Sequence, residues 1–299
     1  MSGHILVTGG TGLIGTVIVN RLLQAGHALT LVSRRPPQVS SERLRWLPAD
    51  LAVNPESTLR QVEAVDAVVH AAAAINDVGD ARSLSLLFET NLRASDALFR
   101  WCGERTVNRV VFISSLSVLR RPLQVPIGEA HPVGPATPYG MSKLWSEEQL
   151  RRRAREYGFT PIILRISSPI PSAFEALPRT VVKIWIEAAL KNEPLRVFGS
   201  GCRAQDFVAC TDVAEAVFQS LVSPAANDVY HIGSGVPLSM REMAQMVARF
   251  RNTPIVFEGA DPNESDRWEI SLEKAREELN YAPKWSGPQA IDSLLRTVL

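Results

Sequence analysis

The sequence has little of what marks secreted, metal-binding or membrane-spanning proteins. Its 299 residues include three cysteines (Cys102, Cys202 and Cys210), none of them in a C-x-x-C pair, which argues against a disulfide framework and a zinc site. No uninterrupted apolar run approaches the roughly 18 residues that a membrane helix needs. Met1 leads almost directly into the first predicted strand, which leaves no room for a signal peptide. We therefore expect a cytoplasmic protein that binds neither a metal nor a membrane.

An excess of charge of one sign is also missing. The 32 basic and 31 acidic residues give a net charge of +1, which argues against a nucleic-acid-binding surface. The expected partner is a small molecule.

Apolar strand-like runs alternate with helical patterns through the first half of the chain. This order predicts the α/β class, with a doubly wound parallel sheet of the Rossmann kind and a smaller C-terminal α/β substrate lobe. We assign residues 1–168 to a dinucleotide-binding domain, to which residues 206–235 return, and residues 169–205 and 236–299 to the lobe. The predicted strands are 4–8, 28–33, 67–71, 109–114, 161–166, 195–198 and 230–232, and the predicted helices are 16–25, 57–62, 84–104, 139–157, 179–191, 211–222, 239–250 and 272–279.

The stretch from Ile5 to Gly15 organises the rest of the sequence. An apolar run ends in a glycine cluster, and a helical pattern follows at once. Gly10, Gly12 and Gly15 fit G-x-G-x-x-G, and Gly9, Gly12 and Gly15 fit G-x-x-G-x-x-G. Glycines let backbone N–H groups approach a pyrophosphate at the N-terminus of the helix. This context predicts a dinucleotide site rather than a structural turn.

The end of the second predicted strand favours NADP over NAD. An acidic residue usually holds the ribose 2′-hydroxyl of NAD at this place, but here Ser33 is followed by Arg34 and Arg35. A hydroxyl and two guanidinium groups suit a 2′-phosphate, which a carboxylate would repel. NAD stays possible, because the arginines could simply form a solvated basic turn.

Further cofactor contacts are predicted where later strands end. Small residues after His70 allow a close approach of the dinucleotide, while His70 itself is expected to be a packed residue rather than a base. Asn91, a polar residue inside a helical pattern, is either structural or a ribose ligand. The full predicted set is Gly9, Gly12, Leu13, Ile14, Gly15, Ser33, Arg34, Arg35, Asp50, Leu51, Ala71, Ala72, Ala73, Asn91, Tyr139 and Lys143.

Tyr139 and Lys143 form a Tyr-x-x-x-Lys pair at the start of a predicted helix, so both side chains project from one face. An adjacent ammonium stabilises a phenolate, which lets tyrosine act as acid and base near neutral pH. Ser115 ends a strand upstream, where its hydroxyl can bind the reacting oxygen. The three residues are the predicted catalytic set.

Taken together, these motifs resemble those of the extended short-chain dehydrogenases/reductases, the NAD-dependent epimerase/dehydratase family of nucleotide-sugar enzymes. The resemblance covers essentially the whole chain. It rests on segments 8–15, 50–51, 70–72, Asn91, 114–115, 139–143, 164–169, 194–201, 206–213 and 271–285. It implies that Tyr139 is the acid/base, Lys143 its pKa partner and ribose ligand, and Ser115 the polarising hydroxyl. It also implies a homodimer formed by helices 84–104 and 139–157.

Several positions depart from the family pattern. Leu116 and Ser117 replace the Asp-Glu pair of the dehydratases, which argues against 4,6-dehydration. Ser168 replaces a substrate-binding asparagine, and Gln205 replaces an arginine. Ser168, Arg203 and Arg267 are the predicted substrate residues, with the two arginines as cations for a diphosphate or as ordinary surface charges.

Four functions follow as hypotheses. The first is NADPH-dependent reduction of a keto group on a nucleotide-linked sugar. The second is epimerisation of such a sugar with retained cofactor, which needs the same three residues. The third is reduction of a nucleotide-free ketone or aldehyde, and the fourth is a non-catalytic dinucleotide-binding regulator.

Overall fold

A seven-stranded parallel sheet forms the centre of the protein. The computed structural model describes residues 3–75 and 80–298. The strands follow the order β10-β6-β5-β4-β1-β2-β3, and every pair in the sheet is parallel. The strands are β1 (His4–Thr8), β2 (Ala28–Ser33), β3 (Leu44–Pro48), β4 (Ala67–His70), β5 (Arg109–Ser115), β6 (Thr160–Ile166) and β10 (Asp228–Ile232). This is the predicted doubly wound sheet.

Helices cover both faces of the sheet, which explains its nearly continuous apolar strands. On one face lie α1 (Leu13–Gln24) and α7 (Cys210–Val222), and on the other lie α2 (Pro55–Leu59), α4 (Ala94–Glu104) and α5 (Pro138–Tyr157). Fully buried β-branched and leucine side chains of β1, β4, β5 and β6 fill the two interfaces. The strand order changes direction at β1 and β4, so a crevice opens at the carboxyl ends of these strands.

The single helix predicted over residues 84–104 is wrong in detail. The structure has α3 (Ala81–Leu87), a π-helical turn (Phe88–Arg93) and then α4. Asn91 lies in that turn, and its buried side chain makes three hydrogen bonds outside the helix. A π-helical turn adds one residue to a helix and often occurs at functional sites, and here it brings the amide onto its partners.

The C-terminal part builds a smaller region with its own core. It contains α6 (Val181–Leu190), α8 (Met240–Arg251), α9 (Glu273–Leu279), α10 (Gly287–Val298) and the strands β7 (Ser168–Ile170), β8 (Leu195–Phe198), β9 (Ala204–Ala209), β11 (Pro237–Ser239) and β12 (Ile255–Glu258). Strand β9 lies between β7 and β11, while β8 pairs with β12.

The returning segment 206–235 is divided between the two sheets. Its helix α7 packs on α1 and its strand β10 joins the main sheet, whereas β9 pairs with β7 and β11. The domain boundaries at residues 168, 205 and 235 stay a prediction.

Candidate active site

The glycine turn between β1 and α1 leaves no space for side chains. Gly9 has a φ of +72°, and a Cβ there would lie 2.4 Å from the backbone nitrogen of Ala72. A Cβ on Gly15 would lie 2.1 Å from the carbonyl oxygen of Gly9. Gly12 is the N-cap of α1 and caps it with no side chain, so the first N–H groups of the helix stay open to an anion. The turn therefore fits the pyrophosphate of a dinucleotide.

Beside this turn lies a cleft of about 370 Å³ at the carboxyl ends of β1, β2 and β4. Its lining combines apolar residues with a few polar and charged side chains, as expected for a groove that binds a nucleotide. Ten of the predicted cofactor residues line it: Gly9, Gly12, Ser33, Arg34, Arg35, Asp50, Leu51, Ala71, Ala72 and Ala73. Leu13 and Ile14 lie in the first turn of α1, with Gly15 just behind the glycine turn. Their contacts with a cofactor stay predictions.

At the end of β2 the structure separates the roles of three residues. The Ser33 hydroxyl donates to the Arg35 carbonyl over 2.7 Å and accepts from the Trp46 indole over 3.1 Å. Arg34 is exposed, and its Nη1 lies 3.8 Å from Oδ2 of Asp50. The serine thus shapes the loop, while the two guanidinium groups line the cleft.

His70 is a packed residue, as predicted. Its two ring nitrogens form hydrogen bonds with Thr8 Oγ1 at 2.6 Å and with Ser95 Oγ at 2.9 Å. The ring also stacks on Phe112, with the ring centroids 5.5 Å apart. Burial, with a smaller contribution from the charge of Lys143, lowers the pKa of His70 to about 3. The imidazole is therefore neutral and unsuited to act as a base at neutral pH.

Asn91 links the cleft to helix α5. Its amide accepts from the Ala74 N–H over 2.8 Å and donates to the Ala74 carbonyl over 3.0 Å and to Ser142 Oγ over 2.8 Å. The side chain is almost fully buried, and the described lining of the cleft does not include it. Its structural role is evident, and a contact with the ribose stays a prediction.

The start of α5, which carries Tyr139, packs against the turn that follows Ser115. Thr137 caps this helix by accepting from the Gly140 N–H over 3.1 Å, and Pro138 occupies its first position. A Cβ on Gly140 would lie 2.4 Å from the Ser117 carbonyl oxygen, so the helix begins directly against the turn that follows Ser115.

The Ser115 hydroxyl oxygen already accepts a hydrogen bond from the Ser117 N–H over 3.1 Å. Because this contact uses the oxygen as acceptor, the hydroxyl proton of Ser115 can be donated to a reacting oxygen.

Lys143 lies one turn after Tyr139 on α5 and is 2% exposed. Its Nζ sits 4.0 Å from the centroid of the Phe112 ring. Burial lowers the pKa of Lys143 to about 7, and the negative charge of Glu147 opposes this shift. A lysine with such a pKa can change its protonation state near neutral pH, where Tyr139 is expected to act as acid and base.

Glu147, which no sequence motif singled out, is fully buried four residues after Lys143. Its carboxylate binds Arg165 and Ser114. The only available signal was the i, i+4 spacing from Lys143, which is common on exposed helix faces.

The predicted substrate residues all lie in the smaller region, at the start of β7 (Ser168), just before β9 (Arg203) and between β12 and α9 (Arg267). Ser168 Oγ accepts from the Gln205 side-chain amide, so the two departures from the family pattern contact each other. Arg203 Nε lies 3.1 Å from Asp261 Oδ2 without the alignment of a hydrogen bond, and Arg267 Nε binds Glu269 at 2.9 Å. A β-bridge between Ala204 and Arg267 places the two arginine segments side by side.

Residues 3–75 and 80–298 contain neither a helix long and apolar enough to cross a membrane nor a group of three or more His, Cys, Asp and Glu side chains that could hold a metal ion.

The comparisons with known proteins agree with this geometry. The profile of the NAD dependent epimerase/dehydratase family matches residues 5–233. The chain belongs to this family. It is thus an enzyme of the extended short-chain dehydrogenase/reductase class, as the sequence motifs predicted.

Relatives and solved structures extend over nearly the whole chain. A UDP-glucose 4-epimerase of Cyamopsis tetragonoloba is 29% identical, with 99% of this chain and 93% of that protein aligned. A dTDP-4-dehydro-6-deoxyglucose reductase of Escherichia coli is 23% identical over 98% of this chain and 97% of its own. A UDP-glucuronic acid 4-epimerase from Bacillus cereus, solved with UDP-glucuronic acid and NAD, shares the fold with a TM-score of 0.85 at 20% identity, covering 99% and 98% of the two chains.

Proposed function

We propose that this family member is an epimerase that inverts one carbon of a nucleotide-linked sugar. The observation that carries the proposal is that α5, which bears Tyr139 and the buried Lys143, begins directly against the turn that follows Ser115, in a fold whose glycine turn fits a dinucleotide. The epimerase relative, aligned over 99% of the chain, favours this reaction over the net keto reduction that the sequence first suggested.

In this proposal Tyr139, Ser115 and Lys143 each have a different role in the reaction. Tyr139 takes the proton of a sugar hydroxyl as the carbon below it is oxidised, and returns a proton when the ketone is reduced from the other face. Ser115 donates to the same oxygen, because its own oxygen is already occupied by the Ser117 N–H. Lys143, when protonated, stabilises the phenolate of Tyr139. A bound nicotinamide would supply the hydride acceptor and donor for both half-reactions, so that no net redox change would result.

NADP is the preferred cofactor in this proposal. Arg34 and Arg35 line the cleft, and position 33 holds a serine in place of a carboxylate. Asp50 lies beside Arg34 but is 3.8 Å away and half exposed, so it weakens the positive charge without removing it. Replacing both arginines with alanine should weaken NADPH binding in a fluorescence titration and leave NADH binding almost unchanged. Equal losses for the two cofactors would argue for NAD.

Turnover with a catalytic amount of cofactor tests epimerisation. The protein is incubated with UDP-glucose, UDP-glucuronic acid or UDP-N-acetylglucosamine and substoichiometric NADP or NAD, and the sugar is followed by proton NMR. We expect conversion to the 4-epimer up to equilibrium, with far more product than cofactor and no accumulation of reduced nucleotide. Product limited to one equivalent of cofactor would contradict the proposal.

Tyr139→Phe removes the phenolic proton carrier and should abolish conversion while cofactor affinity changes little. Tyr157→Phe is the matched control, because Tyr157 closes the same helix far from Ser115. Activity that survives in the Tyr139 variant would show that the catalytic assignment is wrong.

Net reduction of a keto-sugar is the second candidate, favoured by the arginines at the end of β2 and by the reductase relative. It predicts that NADPH oxidation matches product formation one to one when a 4-keto sugar nucleotide is supplied. The same NMR assay distinguishes the two reactions.

We further propose that the functional unit is a homodimer. Helices α4 and α5 share a surface groove of about 390 Å³, bordered by Phe88 and Trp145. Trp145 is 66% exposed and Met141, one turn earlier on α5, is 56% exposed. Apolar side chains of this size on adjacent helices suit burial against a second copy.

A further inference from the structure

A buried ionic cluster lies directly behind the catalytic residues. The carboxylate of Glu147 is 0% exposed and accepts from Ser114 Oγ over 2.5 Å and from Arg165 over 3.0 Å (Nε) and 2.7 Å (Nη2). Arg165 and Ser114 are themselves 3% and 1% exposed. A charge so deeply buried is costly, and a well-packed apolar pair of the same volume is often at least as stable. Stability alone does not explain the cluster.

The cluster joins the three elements that carry the catalytic residues and their support. Glu147 lies one helical turn after Lys143 and two turns after Tyr139 on α5. Ser114 immediately precedes Ser115 at the end of β5, and Arg165 lies on β6, paired with Ser114 in the sheet. The hydrogen bond from Ser114 to Glu147 therefore ties the strand of Ser115 to the helix of Tyr139.

The charges around Lys143 give Glu147 a second role. Within the described residues, the charge of Lys143 interacts with the neutral His70 on β4 and with Glu147 on α5, and Tyr139 lies one turn earlier on the same helix. Arg165 on β6 and Arg151, 3.8 Å away toward the surface, both pair with Glu147. Without the carboxylate, Lys143 would lose an opposing negative charge, while Arg165 would stay buried and charged. An arginine does not deprotonate in proteins, so Lys143 would lose its proton.

We propose that Glu147 is a positioning residue that keeps Lys143 protonated and holds Ser115 in place relative to Tyr139. The proposal rests on the catalytic roles assigned above to those three residues. It assigns two separable effects to one side chain: its charge acts on Lys143, and its hydrogen bond to Ser114 acts on Ser115.

The protonation state of Lys143 can be measured without substrate or cofactor. The chain has five lysines (Lys143, Lys183, Lys191, Lys274 and Lys284), so protein labelled with 13C at the lysine Cε gives five signals, and Lys143→Met assigns one of them. In the wild type the Lys143 signal should titrate with a pKa of about 7, the direction that burial imposes. Glu147→Gln, which keeps the shape of the side chain, should lower this pKa by about one unit or more, as expected for the loss of an opposite charge at this spacing. Glu147→Asp, which keeps the negative charge, should bring the pKa of Lys143 most of the way back to its wild-type value.

Glu156→Gln is the matched control. Glu156 lies on the same helix, is exposed, and pairs only with Arg153 among the contacts described. It should leave the Lys143 titration unchanged. A Lys143 signal that titrates alike in the wild type and the Glu147→Gln variant would overturn the electrostatic part of the proposal, since a purely structural role would not move it.

Kinetics test the positioning part. Ser114→Ala keeps both buried charges but breaks the link between β5 and α5, so kcat should fall about tenfold while the Lys143 pKa and KM stay near the wild-type values. In Glu147→Gln the pH optimum should also shift to lower pH. An unchanged kcat in Ser114→Ala would overturn the positioning role. If no epimerase activity is found but the lysine titration shifts as expected, the proposed reaction fails and the charge coupling stands.

Discussion

Gly9→Ala tests the close approach of the dinucleotide turn to the backbone of Ala71 and Ala72. Two costs are separable. The first is conformational, because Gly9 has a φ of +72°, and an L-residue in the left-handed region costs about 1–2 kcal/mol. The second is steric, because the new Cβ would lie 2.4 Å from Ala72 N and 2.6 Å from the Ala71 carbonyl carbon, both backbone atoms that cannot rotate away.

Gly158→Ala isolates the first cost. Gly158 ends α5 with a φ of +83°, and nothing lies within 4 Å of its would-be Cβ. It should therefore lose about 1–2 kcal/mol of unfolding free energy. Gly9→Ala adds an overpacking cost of roughly 1–3 kcal/mol, for a total of about 2–5 kcal/mol. That is a large part of the 5–15 kcal/mol by which domains are usually stable.

Urea unfolding of both variants measures the difference, and a cofactor titration of the folded protein gives the functional consequence. The Gly9 variant should bind NADPH at least tenfold more weakly, because the turn must move away from Ala72, whereas the Gly158 variant should bind normally. Equal losses of stability and unchanged affinity in the two variants would refute the close approach of the glycine turn to β4.

Three further outcomes are expected. Burial lowers the pKa of His70 to about 3 and of His231 to about 4, so between pH 7 and pH 5 the unfolded chain binds protons that the folded chain does not. The stabilisation that comes from keeping these two histidines neutral is fully present well above pH 6.5, the pKa of a histidine in the unfolded chain. It decreases by about 2 kcal/mol per histidine as the pH is lowered to 5. His231→Asn should reduce this loss, as measured by urea unfolding at several pH values. Trp145→Glu should convert the proposed dimer to a monomer in light scattering, and a monomeric wild type would contradict the dimer. Gln205→Arg should tighten binding of UDP-glucose about tenfold in calorimetry, whereas unchanged affinity would mean that position 205 does not face the phosphates.

The sequence predicted the parts of this protein that depend on local patterns. Apolar runs fixed β1, β2, β4, β5 and β6 to within one residue, because both faces of the sheet are covered there, whereas β10 begins two residues before its predicted start and the bounds of β3 were not predicted. The glycine turn could be recognised because its chemistry allows no other residue type at Gly9 and Gly15.

What could not be predicted depends on contacts between distant segments. The π-helical turn at Asn91 arises because the amide binds Ala74 and Ser142, which lie 17 and 51 positions away. The burial of Glu147 depends on Arg165 arriving from β6, and a sequence pattern shows only a charged residue on a helix. Such pairings need the tertiary fold, which local periodicity does not supply.

The two positions at the substrate end that depart from the family pattern, 168 and 205, contact each other and form one structural change. A family arginine at position 205 would carry a charge next to position 168, whereas here a neutral amide donates to the Ser168 hydroxyl. The remaining cations, Arg203 and Arg267, each lie beside a carboxylate, so the positive charge that they could offer a diphosphate is partly neutralised. From the substrate role proposed for these residues, we expect a nucleotide sugar to gain less electrostatic binding energy here and to depend more on contacts with its sugar and base. We therefore expect substitutions at 168 and 205 to change selectivity among sugars more than they change the chemistry of Ser115, Tyr139 and Lys143.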